Sequence, residues 1–416
     1  MKLLLVTLYF PPAGGGGVQR PLKFATHLPA LGIETHVLAP ANPKWIHMDD
    51  ELRPPTQAWV HRVRYLGPKG RRPSEELHGK QGLDRLLTQA SLLPRRLVVP
   101  DEAATWNLTS IPAALRIARA EGIDVVLTTS PPGSVHLVGA TLKRALGIRW
   151  IADLRDSLLA HQDRRSDTLA VRMKGQTARV VANAVARGAD AIVAAFDSIA
   201  EEMRTLSPAG RVVTIPNGSD FDDFEGMAYT PGDRFRITHT GAFFGQRDPK
   251  PFLYALAGSG LDDVVARFVG GFRAADLELA EALGLGNRIE TIAFVPRRRS
   301  LELQRDSEAL LLIAAEAGGR GTGVIPGKLF EYIAAGRPIL AAVPRGGGAA
   351  QLIEEIGAGI VAPADDIDAL RGALVELHGQ WTRGELAVQL SPEARERVSR
   401  RARVEELAQL VRDIAS

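Results

Sequence analysis

Gly327-Lys328-Leu329-Phe330-Glu331-Tyr332-Ile333-Ala334-Ala335-Gly336-Arg337-Pro338-Ile339-Leu340 reads as a short helix, a tight turn and a buried strand. Pro326 and Gly327 open the helix, and Leu329, Phe330 and Ile333 give it an apolar face. Gly336 stops it and Pro338 bars its continuation, so the apolar run Pro338 to Val343 is a strand. This reading puts Glu331 in the first helical turn, beside backbone N–H groups with no helical acceptor. Such a corner can bind a nucleotide, with amides facing phosphate oxygens and a carboxylate accepting from ribose hydroxyls. An acid there also complements the helix dipole without any ligand. The rest of the chain decides between the two.

Outward from this corner, strand-like and helix-like runs alternate. Lys2–Thr7, Thr35–Ala39, Val125–Thr129, Trp150–Ala152, Ala191–Ala195 and Val212–Ile215 are short, apolar and often β-branched. A polar stretch, Glu225 to Asp233, reads as a domain linker. The alternation restarts with Phe235–Thr240, Ala266–Val269, Arg288–Ala293, Ala309–Ala314, Ile339–Val343 and Gly359–Val361. The pattern predicts an α/β protein of two parallel sheets with helices on both faces, and ligands at the C-terminal strand ends. The expected domains are residues 1–228, 229–390 and a tail, 391–416, whose Val404, Leu407, Val411 and Ile414 mark one amphipathic helix.

Composition agrees. The 416 residues suit two domains, and 45% apolar and 24% charged residues are those of a globular chain. There is no cysteine, which excludes disulfides and thiolate metal sites and fits a cytoplasmic location. No apolar run reaches the roughly 18 residues of a transmembrane helix. Met1 to Val6 reads as a first strand rather than a signal peptide. The pI of 9.2 reflects a mild basic excess. Lys69, Arg71 and Arg72, with Arg95 and Arg96, form basic clusters that suit a solvated face or a peripheral contact with an anionic membrane. They lack the aromatic interleaving of a nucleic-acid surface.

Two further corners look ready for an anion. Tyr9-Phe10-Pro11-Pro12-Ala13-Gly14-Gly15-Gly16-Gly17-Val18-Gln19-Arg20 joins the first strand to a helix, with Pro21 placed in its first turn. The GxGxxG frame starting at Gly14 fails at Gln19, which argues against a dehydrogenase. Gly327-Lys328 fails as a Walker A loop, with Leu329 in the hydroxyl position and Thr322 in place of the leading glycine. Thr238-His239-Thr240-Gly241-Ala242-Phe243-Phe244-Gly245-Gln246-Arg247-Asp248-Pro249-Lys250 ends the next strand in a glycine turn and two cations suited to a diphosphate.

These segments, with Pro216-Asn217-Gly218-Ser219-Asp220, resemble the family-4 glycosyltransferases of the GT-B fold and follow that family's order along nearly the whole chain. Pro100-Asp101 with Trp106, Ser130-Pro131-Pro132, and Ala152-Asp153-Leu154-Arg155-Asp156 point to one branch of it. The resemblance implies two Rossmann-like doubly wound domains facing a central cleft, with the C-terminal helix crossing back to the first. It implies a retaining, hexosyltransferase-like enzyme that moves a sugar from a nucleoside diphosphate donor, UDP favoured. The implied acceptor is a saccharide or lipid-linked species in cell-surface polysaccharide or glycoconjugate synthesis.

Carried over by residue, Glu331 holds the donor ribose, and Lys328 and Leu329 lie beside the diphosphate and nucleotide. Arg247 and Lys250 bind the diphosphate, Gly16, Gly17 and Gly241 face it, and Phe294 and Val295 contact the base through the backbone. The chain departs from the family's Glu-x7-Glu pattern, because Gly323 stands eight residues before Glu331. Glu316 lies further upstream, out of that register, and the amides of the Gly318–Gly323 loop are left to contact the sugar. Ala242 also replaces the usual arginine after the strand glycine.

The chemistry requires stabilisation of the charge growing on the departing diphosphate. With Arg247 and Lys250 in that role, no metal or other cofactor is expected, although Asp220-Phe221-Asp222 spells the metal-binding DxD pattern. Acceptor contacts are expected from Arg20, His136 and Arg155, with Asp156 as the group aiding deprotonation. Asp153 and Asp156 equally suit ion pairs with Arg155, and His136 a structural place. Two other functions remain open: a nucleotide-sugar epimerase of the same fold, and an inert sugar-nucleotide-binding subunit.

Overall fold

The computed structural model describes residues 1–41, 48–66, 82–91, 98–159, 169–243, 247–314, 325–386 and 388–416. The basic residues at 69, 71, 72, 95 and 96, Glu316 and the 318–323 loop lie outside them. The chain divides into two compact units, Met1–Pro216 with Arg403–Ser416, and Asn217–Ala402.

The first unit holds a seven-stranded parallel sheet of order β3-β2-β1-β4-β5-β6-β7. Its strands are β1 (Lys2–Thr7), β2 (Glu34–Pro40), β3 (Trp59–Val63), β4 (Val125–Ser130), β5 (Arg149–Leu154), β6 (Ala191–Ala194) and β7 (Arg211–Thr214). Its helices are α1 (Gly16–His27), α2 (Gly82–Ser91), α3 (Asn107–Glu121), α4 (His136–Leu146), α5 (Leu169–Gly188) and α6 (Asp197–Arg204). Both faces are covered, as a continuous apolar strand requires. Leu4 and Val6 of β1 enter one core with Trp150, while Leu3 and Leu5 enter the other. Only β3 escapes the apolar signal. It is an edge strand of partly exposed side chains, with Trp59 64% exposed.

The second unit holds a six-stranded parallel sheet of order β10-β9-β8-β11-β12-β13. These strands are β8 (Phe235–Thr240), β9 (Val264–Val269), β10 (Ile289–Ile292), β11 (Ala309–Ile313), β12 (Ile339–Ala342) and β13 (Gly359–Ala362). The helices are α7 (Lys250–Ala257), α8 (Ala274–Ala282), α9 (Arg297–Arg305), α10 (Gly327–Ala335), α11 (Gly348–Ile356), α12 (Ile367–Thr382) and α13 (Pro392–Val398). Strand order reverses between β8 and β11, which makes the C-terminal end of β8 the expected ligand position of this sheet.

Two boundaries differ from expectation. The units part at Pro216, and the segment 225–233 belongs to the second. The polar composition of that segment concealed the aromatic residues just before it: Phe224 is buried in the second unit's core and Phe221 packs against it. The tail is two helices, α13 and α14 (Arg400–Ala415), separated at Ser399 in extended geometry. The break is held by Ser219, whose N–H donates to the Val398 carbonyl (2.6 Å) and whose carbonyl accepts from Arg400 N–H (3.0 Å). A Cβ on Gly218 would come within 2.6 Å of the Arg400 backbone, so the Pro-Asn-Gly-Ser-Asp motif is built for this crossing.

From Arg403 onward α14 belongs to the first unit and buries Val404, Leu407 and Val411 against the face that carries Leu3 and Leu5. Leu407 is fully buried there. We expect Leu407→Ala to destabilise the first unit by about 2–5 kcal/mol, the range for truncating a core leucine. A fall in the midpoint of thermal unfolding, followed by circular dichroism, checks this.

Candidate functional site

The second unit's site grows from the end of β8. Gly241 follows that strand with φ +104°, a conformation open to glycine. A Cβ there would lie 2.5 Å from Lys328 Nζ, so the ammonium rests directly on the Gly241 α-carbon. Lys328 comes from the first turn of α10, whose start at Gly327 and left-handed stop at Gly336 follow the sequence reading. Its Nζ also lies 3.3 Å from His239 Nε2. Burial, then the Arg247 guanidinium, pushes the Lys328 ammonium down to about 7, with Glu331 opposing the shift. Burial likewise lowers Arg247. The cluster therefore gathers positive charge where water cannot solvate it well, a state that an anionic ligand relieves.

Glu331 stands one turn later than expected, at the fifth residue of α10, and the first turn of the helix holds no acid. Arg297 bridges it to Asp223, with one guanidinium nitrogen on Glu331 and the other 2.9 Å from Asp223. Burial works against the Arg297 charge, but the two carboxylates more than offset it and hold Arg297 protonated. A carboxylate has about four acceptor positions, so Glu331 keeps capacity for hydroxyl donors. Tyr332, fully buried, accepts from Thr240 N–H at 2.9 Å and locks the end of β8 to α10. Burial raises its phenol to about 12.

Other carried-over residues fall less closely. The Leu329 side chain lies in the core and its N–H donates to the Pro326 carbonyl at 2.9 Å, so it offers the ligand no side chain. Lys250 is exposed at the start of α7, where its backbone N–H donates to Asp248 (3.2 Å). Phe294 is exposed and Val295 half-buried just beyond β10. The DxD acids serve the chain crossing, since Asp220 pairs with Arg400 (3.1 Å) and Asp222 with Arg401 (2.9 Å). Among the described residues no group of three or more His, Asp or Glu side chains is placed to hold a metal ion.

In the first unit the acceptor assignments change. Arg20 is buried and heavily hydrogen-bonded. It donates to both oxygens of Asp153 (2.7–3.1 Å) and to the Ile215 and Pro216 carbonyls (2.8 and 3.0 Å). Asp153 thus pairs with Arg20, not Arg155, and also accepts from Thr129 at 2.7 Å. Arg155 is buried and donates to backbone carbonyls of Ser130, Gly17 and Pro131. Pro21 explains the middle contact. It lies at the sixth residue of α1, beyond the first turn, and has no N–H for the Gly17 carbonyl, which Arg155 takes instead. Gly16 and Gly17 open α1 behind the cap residue Gly15.

His136 is also internal. Its Nδ1 lies 2.8 Å from Thr128 Oγ1, which accepts from Trp150 Nε1, and burial lowers the imidazole to about 3. Such a group stays neutral and is a poor base. Asp101 accepts from the N–H and hydroxyl of Ser134, both at 2.7 Å, so the branch motifs at 100–101 and 130–132 are one structural joint. Of the first unit's candidates, Asp156 is exposed. Sequence reasoning missed His239, Tyr332 and Arg297. The first two lay inside quoted motifs, and Arg297 lay in a charge run without a readable partner.

Residues 15–218 match the family model described as a glycosyl transferase 4-like domain. No curated protein matches the chain. Solved structures of similar fold include sucrose-phosphate synthase from Thermosynechococcus elongatus, with 17% identity, TM-score 0.62, and 99% of this chain and 98% of that one covered. Anabaena HepE in complex with UDP and glucose gives 16% identity, TM-score 0.64, and 99% and 100% coverage. A putative UDP-N-acetylglucosamine 2-epimerase from Listeria monocytogenes gives 12%, 0.54, 99% and 96%. The family-4 resemblance holds over residues 15–218, which form a glycosyl transferase 4-like domain, and the fold of the chain is that of the GT-B glycosyltransferases. Among the described residues no helix is long and apolar enough to cross a membrane.

The strained charge of Lys328 has a thermodynamic signature. Its folded pKa lies below its unfolded one, so the unfolded chain binds more protons between pH 7 and 10.5 and wild-type stability rises with pH there. We expect Lys328→Met to stabilise the second unit below pH 7 by up to about 5 kcal/mol, since each tenfold loss of proton affinity on folding costs about 1.4 kcal/mol. The gain should fade as pH approaches 10.5. Thermal unfolding of both proteins across that range checks this.

Proposed function

We propose that the chain transfers a sugar, with retention at the anomeric carbon, from a nucleoside diphosphate sugar to a saccharide or lipid-linked acceptor. A uridine diphosphate donor is favoured. The observation that carries this reading is the Lys328 ammonium seated on Gly241 beside Arg247, at the C-terminal end of β8. Diphosphate oxygens bring negative charge to this cluster, and its two cations stabilise the charge that grows as the anomeric C–O bond breaks. Glu331, steadied by Arg297, accepts from the ribose hydroxyls. The backbone at Phe294 and Val295 is assigned to the base, and exposed Asp156 to acceptor deprotonation. The binding of UDP and UDP-glucose by the similarly folded HepE supports a uridine donor.

We expect Arg247→Ala to lower kcat by roughly 10²–10³, the usual cost of one lost donor to a developing charge. Glu331→Gln should mainly raise KM for the donor. Release of UDP from UDP-sugars in the presence of acceptor, with the product anomer read by NMR, measures both and reports the stereochemistry. Wild-type kinetics in both variants would remove the assignment. Turnover of donor to an epimer without acceptor would instead identify an epimerase.

A second expectation concerns metal. The DxD carboxylates are engaged by Arg400 and Arg401. Transfer should therefore survive EDTA, and loss of activity restored by a divalent ion would refute the metal-independent reading.

A further inference from the structure

His239 lies on β8 two residues before Gly241, fully buried, with its ring stacked on Phe243 at 4.5 Å between centroids. Its Nδ1 is 2.9 Å from the Leu311 carbonyl on β11. A carbonyl only accepts, so Nδ1 carries the proton and Nε2 presents a lone pair. Nε2 faces Lys328 Nζ at 3.3 Å, and an ammonium only donates. The two contacts fix one tautomer and one direction for each hydrogen bond.

We propose that His239 is a positioning residue of the donor site, a neutral acceptor clamped to Leu311 that holds the Lys328 ammonium against Gly241 in the place where the diphosphate is met. The inference rests on the donor reading above. An acid at this position would neutralise Lys328 and forfeit its attraction for phosphate. An apolar ring would leave the ammonium without its buried acceptor. A neutral imidazole orients the charge without cancelling it. Among the described residues, the ionisable groups facing Lys328 are His239 from β8, Arg247 from the segment before α7, and Glu331 from α10. Burial, Lys328 and Arg247 all press His239 toward the neutral form, against the Leu311 hydrogen bond.

The test measures UDP binding by calorimetry from pH 5.5 to 9 for the wild type, His239→Phe, His239→Gln and Lys328→Ala. Phe keeps the stack on Phe243 and removes the acceptor, while Gln restores an acceptor oxygen. His239→Phe should weaken UDP about tenfold, the scale of one hydrogen bond to a charged group. It should also move the alkaline loss of binding to lower pH, by about a factor of ten in proton concentration, because an ammonium without its acceptor deprotonates earlier. His239→Gln should restore part of both. A merely structural histidine would leave the pH profile in place, and an unchanged profile and affinity in His239→Phe overturn the proposal. If Lys328→Ala binds UDP as the wild type does, the donor site itself is misassigned, a separate failure. Should His239→Phe not fold, the ¹⁵N spectrum of the wild type decides. The proposal requires a protonated Nδ1 and an unprotonated Nε2 throughout this range, and the opposite tautomer or an imidazolium overturns it.

Discussion

An ammonium pressed onto a glycine α-carbon constrains most of what surrounds it. Residue 241 must lack a side chain, because Lys328 Nζ occupies that volume. The strand must end there in a left-handed turn, and α10 must begin within reach of it. Tyr332, four residues after Lys328 and so on the same helical face, bonds the backbone of Thr240 and sets the distance between helix and strand. His239 and Arg247 then fix the electrostatics. Burying positive charge is unfavourable for folding, and the unit tolerates it because the two core layers on its sheet supply stability elsewhere. The same imbalance is what a bound anion would relieve.

The first unit uses its buried cations in the opposite way. Arg20 and Arg155 have their donors occupied by Asp153 and by carbonyl oxygens, and they join α1, β4, β5 and the end of β7. Their chemistry is that of recognition residues, but most of their donors are committed to the protein's own oxygens. Removing one partner of the buried Arg20–Asp153 pair leaves an uncompensated charge, which typically costs about 3–5 kcal/mol.

The architecture was legible because parallel strands buried on both faces are nearly continuous apolar runs, as β1, β6, β11 and β12 are. β3 is not, since an edge strand alternates and mixes polar residues such as His61 and Arg62. In the candidate site, the corner that gathers Gly241, Lys328, Arg247 and Glu331 was legible because strand–glycine–helix corners have local signatures. His239 and Arg297 were not, because their meaning arises from contacts with residues 89 and 34 positions away. The same limit misled the reading of Arg20, His136 and Arg155. A polar residue beside a loop motif looks the same in sequence whether it points to solvent or into a saturated interior. Glu331 was placed one turn early because the helix dipole argument counts from a start that only the backbone fixes.

The position of α14 bears on how the polypeptide matures. Val404, Leu407 and Val411 complete the apolar layer over β1, yet they are synthesised after the whole of the second unit. A nascent chain emerging at about 5–20 residues per second carries that layer uncovered for on the order of ten seconds or more after β7 has left the ribosome. The unit translated first is thus the last to close, and its open apolar face is the stretch that chaperones would be expected to guard.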